Sequence, residues 1–251
     1  MGIEVFKKHL REKRALKVSY RSTSINTKNI ARFAHIVQMS KASAIDIPCG
    51  KQFLEAARKY TKLPVFVSSI HPFEILEAVK YGVDAVEIGN FDKYHSKGQA
   101  YNASQIYDIV LETLGLINDY EIFVSVTIPG YILIEDQIKL AKKLQLLGVD
   151  MIHIEGVSAS NRMYLKDDRS TFANIEQIIE NVSLPVMSTI VSSNIAKNAF
   201  KYGINAIDYS YNNTDTEVAL ATNVLDMVNS IFYRNSINNE IPRTARELIF
   251  N

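Results

Sequence analysis

A chain of 251 residues, 47% of them hydrophobic, can bury one large core, and nothing in its length calls for a second domain. Its 28 Lys and Arg against 27 Asp and Glu leave a net charge of +1, without the basic footprint that nucleic acid or an anionic membrane surface would select. No apolar run approaches the roughly 20 residues of a spanning helix, the charged opening segment lacks the apolar stretch of a secretory leader, and a single cysteine, Cys49, excludes an internal disulfide framework.

The expected partner is therefore a small molecule. From Ala15 onward, short runs rich in Val and Ile alternate with longer segments of helical period, the pattern of βαβ units on a parallel sheet. Strands are predicted at 15–20, 44–47, 64–70, 85–90, 121–128, 151–156, 185–190 and 206–210, each followed by a helix. Eight such units predict an α/β fold, a single (β/α)8 barrel of the TIM type over 1–251, with 1–14 as an N-terminal extension and 235–251 as a C-terminal tail. Any ligand site is then expected at the carboxyl ends of the strands. The longest connections on that face, 91–103 and 157–170, read as candidate lids.

Two internal repeats support the barrel. Tyr81-Gly82-Val83-Asp84, Leu147-Gly148-Val149-Asp150 and Tyr202-Gly203-Ile204-Asn205 each place Gly where a helix ends in left-handed geometry. Residues 63–89 also align without gaps on 184–210, an offset of 121, which pairs the third strand with the seventh and the fourth with the eighth. An offset of four βα units is what a barrel of two similar halves would show.

Alternate strand residues point into the barrel, where a polar side chain requires a partner or a task. In chain order the candidates are Lys17, Asp46, Ser68, Glu87, Thr127, His153, Glu155, Ser188 and Asp208. Glu87 aligns with Asp208 in the repeat, so the two carboxylates should enter from opposite sides, with Lys17 between them. One reading makes Lys17 an amine whose pKa burial lowers, a Schiff-base nucleophile or general base, with Glu87 or Glu155 moving protons. The other is an interior ion-pair network.

His153, Glu155 and Asp46 lack the second histidine of a metal site, and no metal is expected. Cys49 has no evident base beside it and reads as a plain loop cysteine. Ser192 and Ser193 open the seventh helix and offer donors to an anion, although the loops at 189–194 and 210–214 contain no glycine. No cofactor and no oligomeric state can be read from these residues.

The segments Val67-Ser68-Ser69-Ile70, Glu87-Ile88-Gly89-Asn90-Phe91-Asp92, Val126-Thr127-Ile128-Pro129 and Ile154-Glu155-Gly156 resemble the hypothetical chloroplast reading frame 23 family of algal plastids and cyanobacteria. The resemblance implies a TIM-type barrel encoded in the plastid, working in the stroma, with no assigned activity and no catalytic residues to carry over. It also implies that Lys17, Asp46, Glu87, Asn90, Asp92 and Glu155 occupy the family's recurrent strand-end positions, Asn90 and Asp92 thereby joining the ligand-binding candidates. Val157 and loops rich in Ser and Tyr stand where the family pattern has glycine. Two functions remain open: an aldolase- or isomerase-like enzyme acting on a small polar or phosphorylated metabolite, and an inactive barrel with a binding or regulatory role. A flavin-dependent oxidoreductase is disfavoured, because flavin phosphate would need the same glycine-free anion site.

Overall fold

The computed structural model describes residues 2–155, 168–190, 193–211 and 217–232. Eight parallel strands close into one barrel in chain order: β1 (Ala15–Tyr20), β2 (Ala44–Ile47), β3 (Val65–Ser69), β4 (Ala85–Ile88), β5 (Phe123–Ile128), β6 (Met151–Ile154), β7 (Val186–Thr189) and β8 (Ala206–Tyr211). The helices are α1 (Gly2–Arg11), α2 (Thr27–Ser40), α3 (Lys51–Arg58), α4 (Pro72–Lys80), α5 (Phe91–His95), α6 (Ala103–Leu116), α7 (Ile134–Leu146), α8 (Asp168–Ile179), α9 (Ser193–Ala199) and α10 (Glu217–Phe232). Among the described residues no helix is long and apolar enough to cross a membrane.

The strands alternate as a barrel wall must. Leu16, Val18, Ile45, Ile47, Val86, Ile88, Val124 and Val126 face outward and join the helices in the larger core. The amino-terminal layer of the interior is a ring of Ala15, Ala44, Phe66, Ala85, Phe123, Met151, Met187 and Ala206, in which large and small side chains fill the space jointly.

The amino-terminal segment is part of this core rather than an extension. Helix α1 inserts Phe6 and Leu10 into the barrel floor, and the Phe6 ring meets Phe66 and Phe123 edge to face at 5.0 and 5.8 Å. Phe6→Ala is expected to cost about 3–5 kcal/mol, as emptying a packed aromatic site usually does, measurable by urea unfolding. A loss below about 1 kcal/mol would mean that α1 is dispensable.

The repeated Gly turns acquire a physical role here. Gly82, Gly148 and Gly203 have φ of 86°, 81° and 95°, which a Cβ would strain. The residue two positions later caps the start of the preceding strand: Asp84, Asp150 and Asn205 accept the N–H of Val65, Val124 and Val186 at 2.7, 2.8 and 3.0 Å. The 121-residue offset holds in space, because β7 begins 121 residues after β3 and β8 begins 121 after β4. Of the two candidate lids, 91–103 contains helix α5, whereas 157–167 lies outside the described residues and 168–170 already belongs to α8.

Candidate functional site

Above the apolar floor, the inward column of β1 reads Lys17, Ser19, Arg21, with Arg21 just past the strand end. Lys17 has no solvent exposure, and its Nζ lies 2.6 Å from Glu87 Oε2, 3.4 Å from Asp46 Oδ2 and 3.7 Å from Asp208 Oδ1. The three carboxylates come from β2, β4 and β8, so the lysine is held from both halves of the barrel, as the repeat implied. The Phe66 ring lies beneath, 5.5 Å from Nζ. Ser19 donates to Asp208, Ser68 donates to Asp46, and Thr127 donates to Glu87 Oε1 at 3.1 Å. Arg21 Nη2 donates to Asp46 at 2.9 Å from a side chain that is 25% exposed.

The electrostatics correct the expected role of Lys17. Burial by itself would push the ammonium down, but Asp208, Glu87 and Asp46 outweigh it and hold Lys17 charged, above its ordinary value. The free amine that a Schiff base requires is thereby disfavoured. Burial would likewise raise Glu87, yet Lys17, His153 and Arg21 keep it a carboxylate, well below its usual range. Cys49 is pushed up to about 12 by burial and by the charges of Glu74 and Asp46, so it is a thiol at neutral pH, in keeping with a plain loop cysteine.

His153 lies inside the cluster. Its Nδ1 is 3.1 Å from Glu87 Oε1 and its Nε2 is 2.9 Å from Thr189 Oγ1. Gly89 allows this packing, since a Cβ there would overlap Thr127 Oγ1 and approach Glu87 Oε1. The next residue, Asn90, adopts φ of 73° and donates from Nδ2 to the Ser68 carbonyl at 3.1 Å. A non-glycine residue in left-handed geometry at a strand end is the kind of strain that functional sites hold.

Towards the mouth the side chains become partly exposed: Arg21, Asn90, Glu155 after β6, Thr189 and Ser210. Asp92 lies in α5 near this rim, and Ser193 opens α9. Ser192 lies outside the described residues. Ser188 requires correction. It is fully buried, and the register places it beside the outward-facing Ile154 and Ile207, so it belongs to the helix-facing side of β7. The inward residue is Thr189, which a sequence reading with the repeat had the means to find, because an offset of 121 aligns Ser68 with Thr189. Arg21 was similarly legible as the third member of the period-two column that starts at Lys17.

Asp46, Glu87 and Asp208 are committed to the two cations. Among the described residues no group of three or more His, Cys, Asp or Glu side chains is arranged to hold a metal ion.

Solved structures share this architecture. A 3-hexulose-6-phosphate synthase from Salmonella typhimurium superposes with a TM-score of 0.63 at 13% identity, covering 86% of this chain and 98% of that one. The (S)-3-O-geranylgeranylglyceryl phosphate synthase from Thermoplasma acidophilum, solved with its substrate sn-glycerol-1-phosphate, gives 0.64 at 14% identity, covering 90% and 98%. At such identities the likeness establishes the fold alone. Sequence relatives are nearer. The "Uncharacterized protein ycf23" of Porphyra purpurea is 31% identical over 205 residues, 79% of this chain and 77% of that one, and its namesake from Cyanophora paradoxa is 30% identical over 234 residues, 90% and 94%. These relatives agree with the plastid origin that the resemblance implied. With residues 3–237 matched by the model of the family described as "Protein of unknown function (DUF561)", and with these relatives along most of its length, the chain belongs to that family.

Proposed function

We propose that the barrel is an enzyme of the aldolase or isomerase type that moves a proton on a small polar, phosphorylated metabolite bound at the carboxyl ends of the strands. The observation that carries this reading is the fully buried Lys17 held by Glu87, Asp46 and Asp208 in the upper half of the interior. An apolar interior would stabilise a barrel at least as well, since burying charges costs several kcal/mol per ion before pairing returns it. Charged clusters of this kind at the carboxyl ends of strands are where barrels conduct chemistry.

In this reading Lys17 acts as a fixed positive charge, stabilising negative charge that develops during the reaction. Glu87 and His153 transfer protons, and Glu155 at the end of β6 is a second acid or base. Ser68, Asn90, Asp92, Ser193, Arg21 and Thr189 are the candidates for contact with the ligand, while Thr127 orients Glu87 and Asp208 holds Lys17. The phosphorylated compounds for which the neighbouring synthases are named support the ligand class.

The test is a thermal-shift screen of the full chain against sugar phosphates and triose phosphates, followed by borohydride treatment with any ligand that stabilises it. Stabilisation without covalent trapping is expected. Trapping on Lys17 would restore the Schiff-base role, and a screen with no shift would count against the enzyme. One observation favours the inactive, ligand-binding alternative: Lys17, Asp46, Glu87 and Asp208 are each at most 1% exposed, so a ligand at the mouth does not reach them without a go-between.

A further inference from the structure

The hydrogen bonds around His153 supply such a go-between. A carboxylate only accepts, so Nδ1, 3.1 Å from Glu87 Oε1, must carry the proton and donate it. A neutral ring then presents a lone pair at Nε2, and the Thr189 hydroxyl 2.9 Å away donates to it. Glu87 and His153 are each 1% exposed, whereas Thr189, at the carboxyl end of β7, is partly open. The chain of three groups is closed at the cluster and open at the mouth.

Lys17 and Arg21 face Asp46, Glu87 and Asp208, two positive charges against three negative ones, so a proton handed to the ring during the reaction enters a site of negative surplus. The repeat adds a separate sign that Thr189 is placed for this role. Its counterpart Ser68 also points a hydroxyl inward, but gives it to Asp46, so only on β7 does the hydroxyl meet a titratable ring.

The geometry points to Thr189 as a further catalytic residue, the open end of a Glu87–His153–Thr189 proton relay that serves a ligand carrying a C–H beside a carbonyl. The proposal rests on the enzymatic reading above. In the step, the ligand's C–H bond breaks and its proton goes to Thr189 Oγ1, while the proton already on that oxygen passes to His153 Nε2. The electron pair stays on the ligand as an enolate. Nδ1–H remains bonded to Glu87, and the reverse transfer returns a proton to carbon. No oxidant or reductant is consumed.

Two measurements on the full chain test this. In protein labelled with nitrogen-15 histidine, Nε2 of His153 should resonate as an unprotonated nitrogen accepting a hydrogen bond, should shift in Thr189→Val, and should stay near its wild-type position in Thr189→Ser. A protonated Nε2, or no response to Thr189→Val, overturns the relay whatever the ligand. Deuterium wash-in from heavy water into dihydroxyacetone phosphate and fructose 6-phosphate tests the chemistry. Thr189→Val should slow exchange by about a hundredfold at saturating probe and Thr189→Ser by no more than about threefold. Exchange that survives in Thr189→Val, or a wild type that binds a probe without exchanging it, overturns the proposal. If neither probe binds, it is the enzymatic reading for phosphorylated ketoses that fails, and the histidine spectrum still decides the relay's geometry.

Discussion

Replacing Lys17 by Met is expected to destabilise the barrel by about 3–5 kcal/mol at neutral pH, the usual penalty for removing one partner of a buried charge group. Asp46 would keep Arg21, but Glu87 and Asp208 would lose the ammonium that all three share. The pH dependence gives the loss a signature. Glu87 lies below its ordinary value near 4.5 in the folded protein, so its contribution to stability is fully present above that pH and is lost as pH falls through the lower folded value. Lys17 lies above its ordinary value, so its contribution is full below about 10.5 and is lost only as pH rises through the higher folded value. Without the lysine, Glu87 loses the charge that lowers it most and takes up a proton more readily. The gap between Lys17→Met and wild type should therefore be widest near neutrality and narrow below roughly pH 4.5. Urea unfolding at several pH values measures it, and a uniform loss below about 1 kcal/mol would show that Lys17 does not hold the cluster together.

Glu87→Gln should separate fold from function most sharply. Removing this charge leaves Asp46 and Asp208 against Lys17 and Arg21, a balanced set, and the amide can still hydrogen-bond Thr127. The expected stability cost is modest, about 1–3 kcal/mol. The expected loss of proton exchange on a ligand identified by thermal shift is larger, about a hundredfold to ten-thousandfold, because the carboxylate that stabilises a protonated His153 is gone. Ligand binding should persist. A variant that unfolds while the same ligand chemistry continues in the folded remainder would make the cluster structural, and exchange within a few-fold of wild type would remove Glu87 from the mechanism.

Much of the barrel was legible in order, because the signals that define it are local. Period-two apolar runs, helical segments and glycines at three helix exits are properties of neighbouring residues, and the predicted strands agree with the observed ones to within about two residues at each end. Lys17, Asp46, Glu87, His153 and Asp208 stood out because a polar side chain inside an apolar strand is anomalous wherever it occurs. Ser188 was misplaced since a serine beside a threonine offers no hydrophobic contrast to set which one points inward, and only the register with Ile154 and Ile207 decides it. The segment 1–14 read as an N-terminal extension because charged side chains make up half of it and nothing local marks Phe6 and Leu10 as the apolar ones that are buried. The ring partners of Phe6, namely Phe66 and Phe123, lie 60 and 117 residues away.

By itself, then, the sequence determined the eight-unit barrel, its two related halves and the set of buried charges, because strand periodicity and repeat offset are written in consecutive residues. Only the tertiary structure decided what those charges are. Closing the barrel brings carboxylates from the two strands beside β1 and from β4 across the interior within 4 Å of one ammonium, and their summed field reverses the fall in pKa that burial alone would cause. The same closure sets His153 between Glu87 and Thr189, a contact across three strands that no local pattern encodes, since the distances between side chains depend on how the whole sheet curves back on itself.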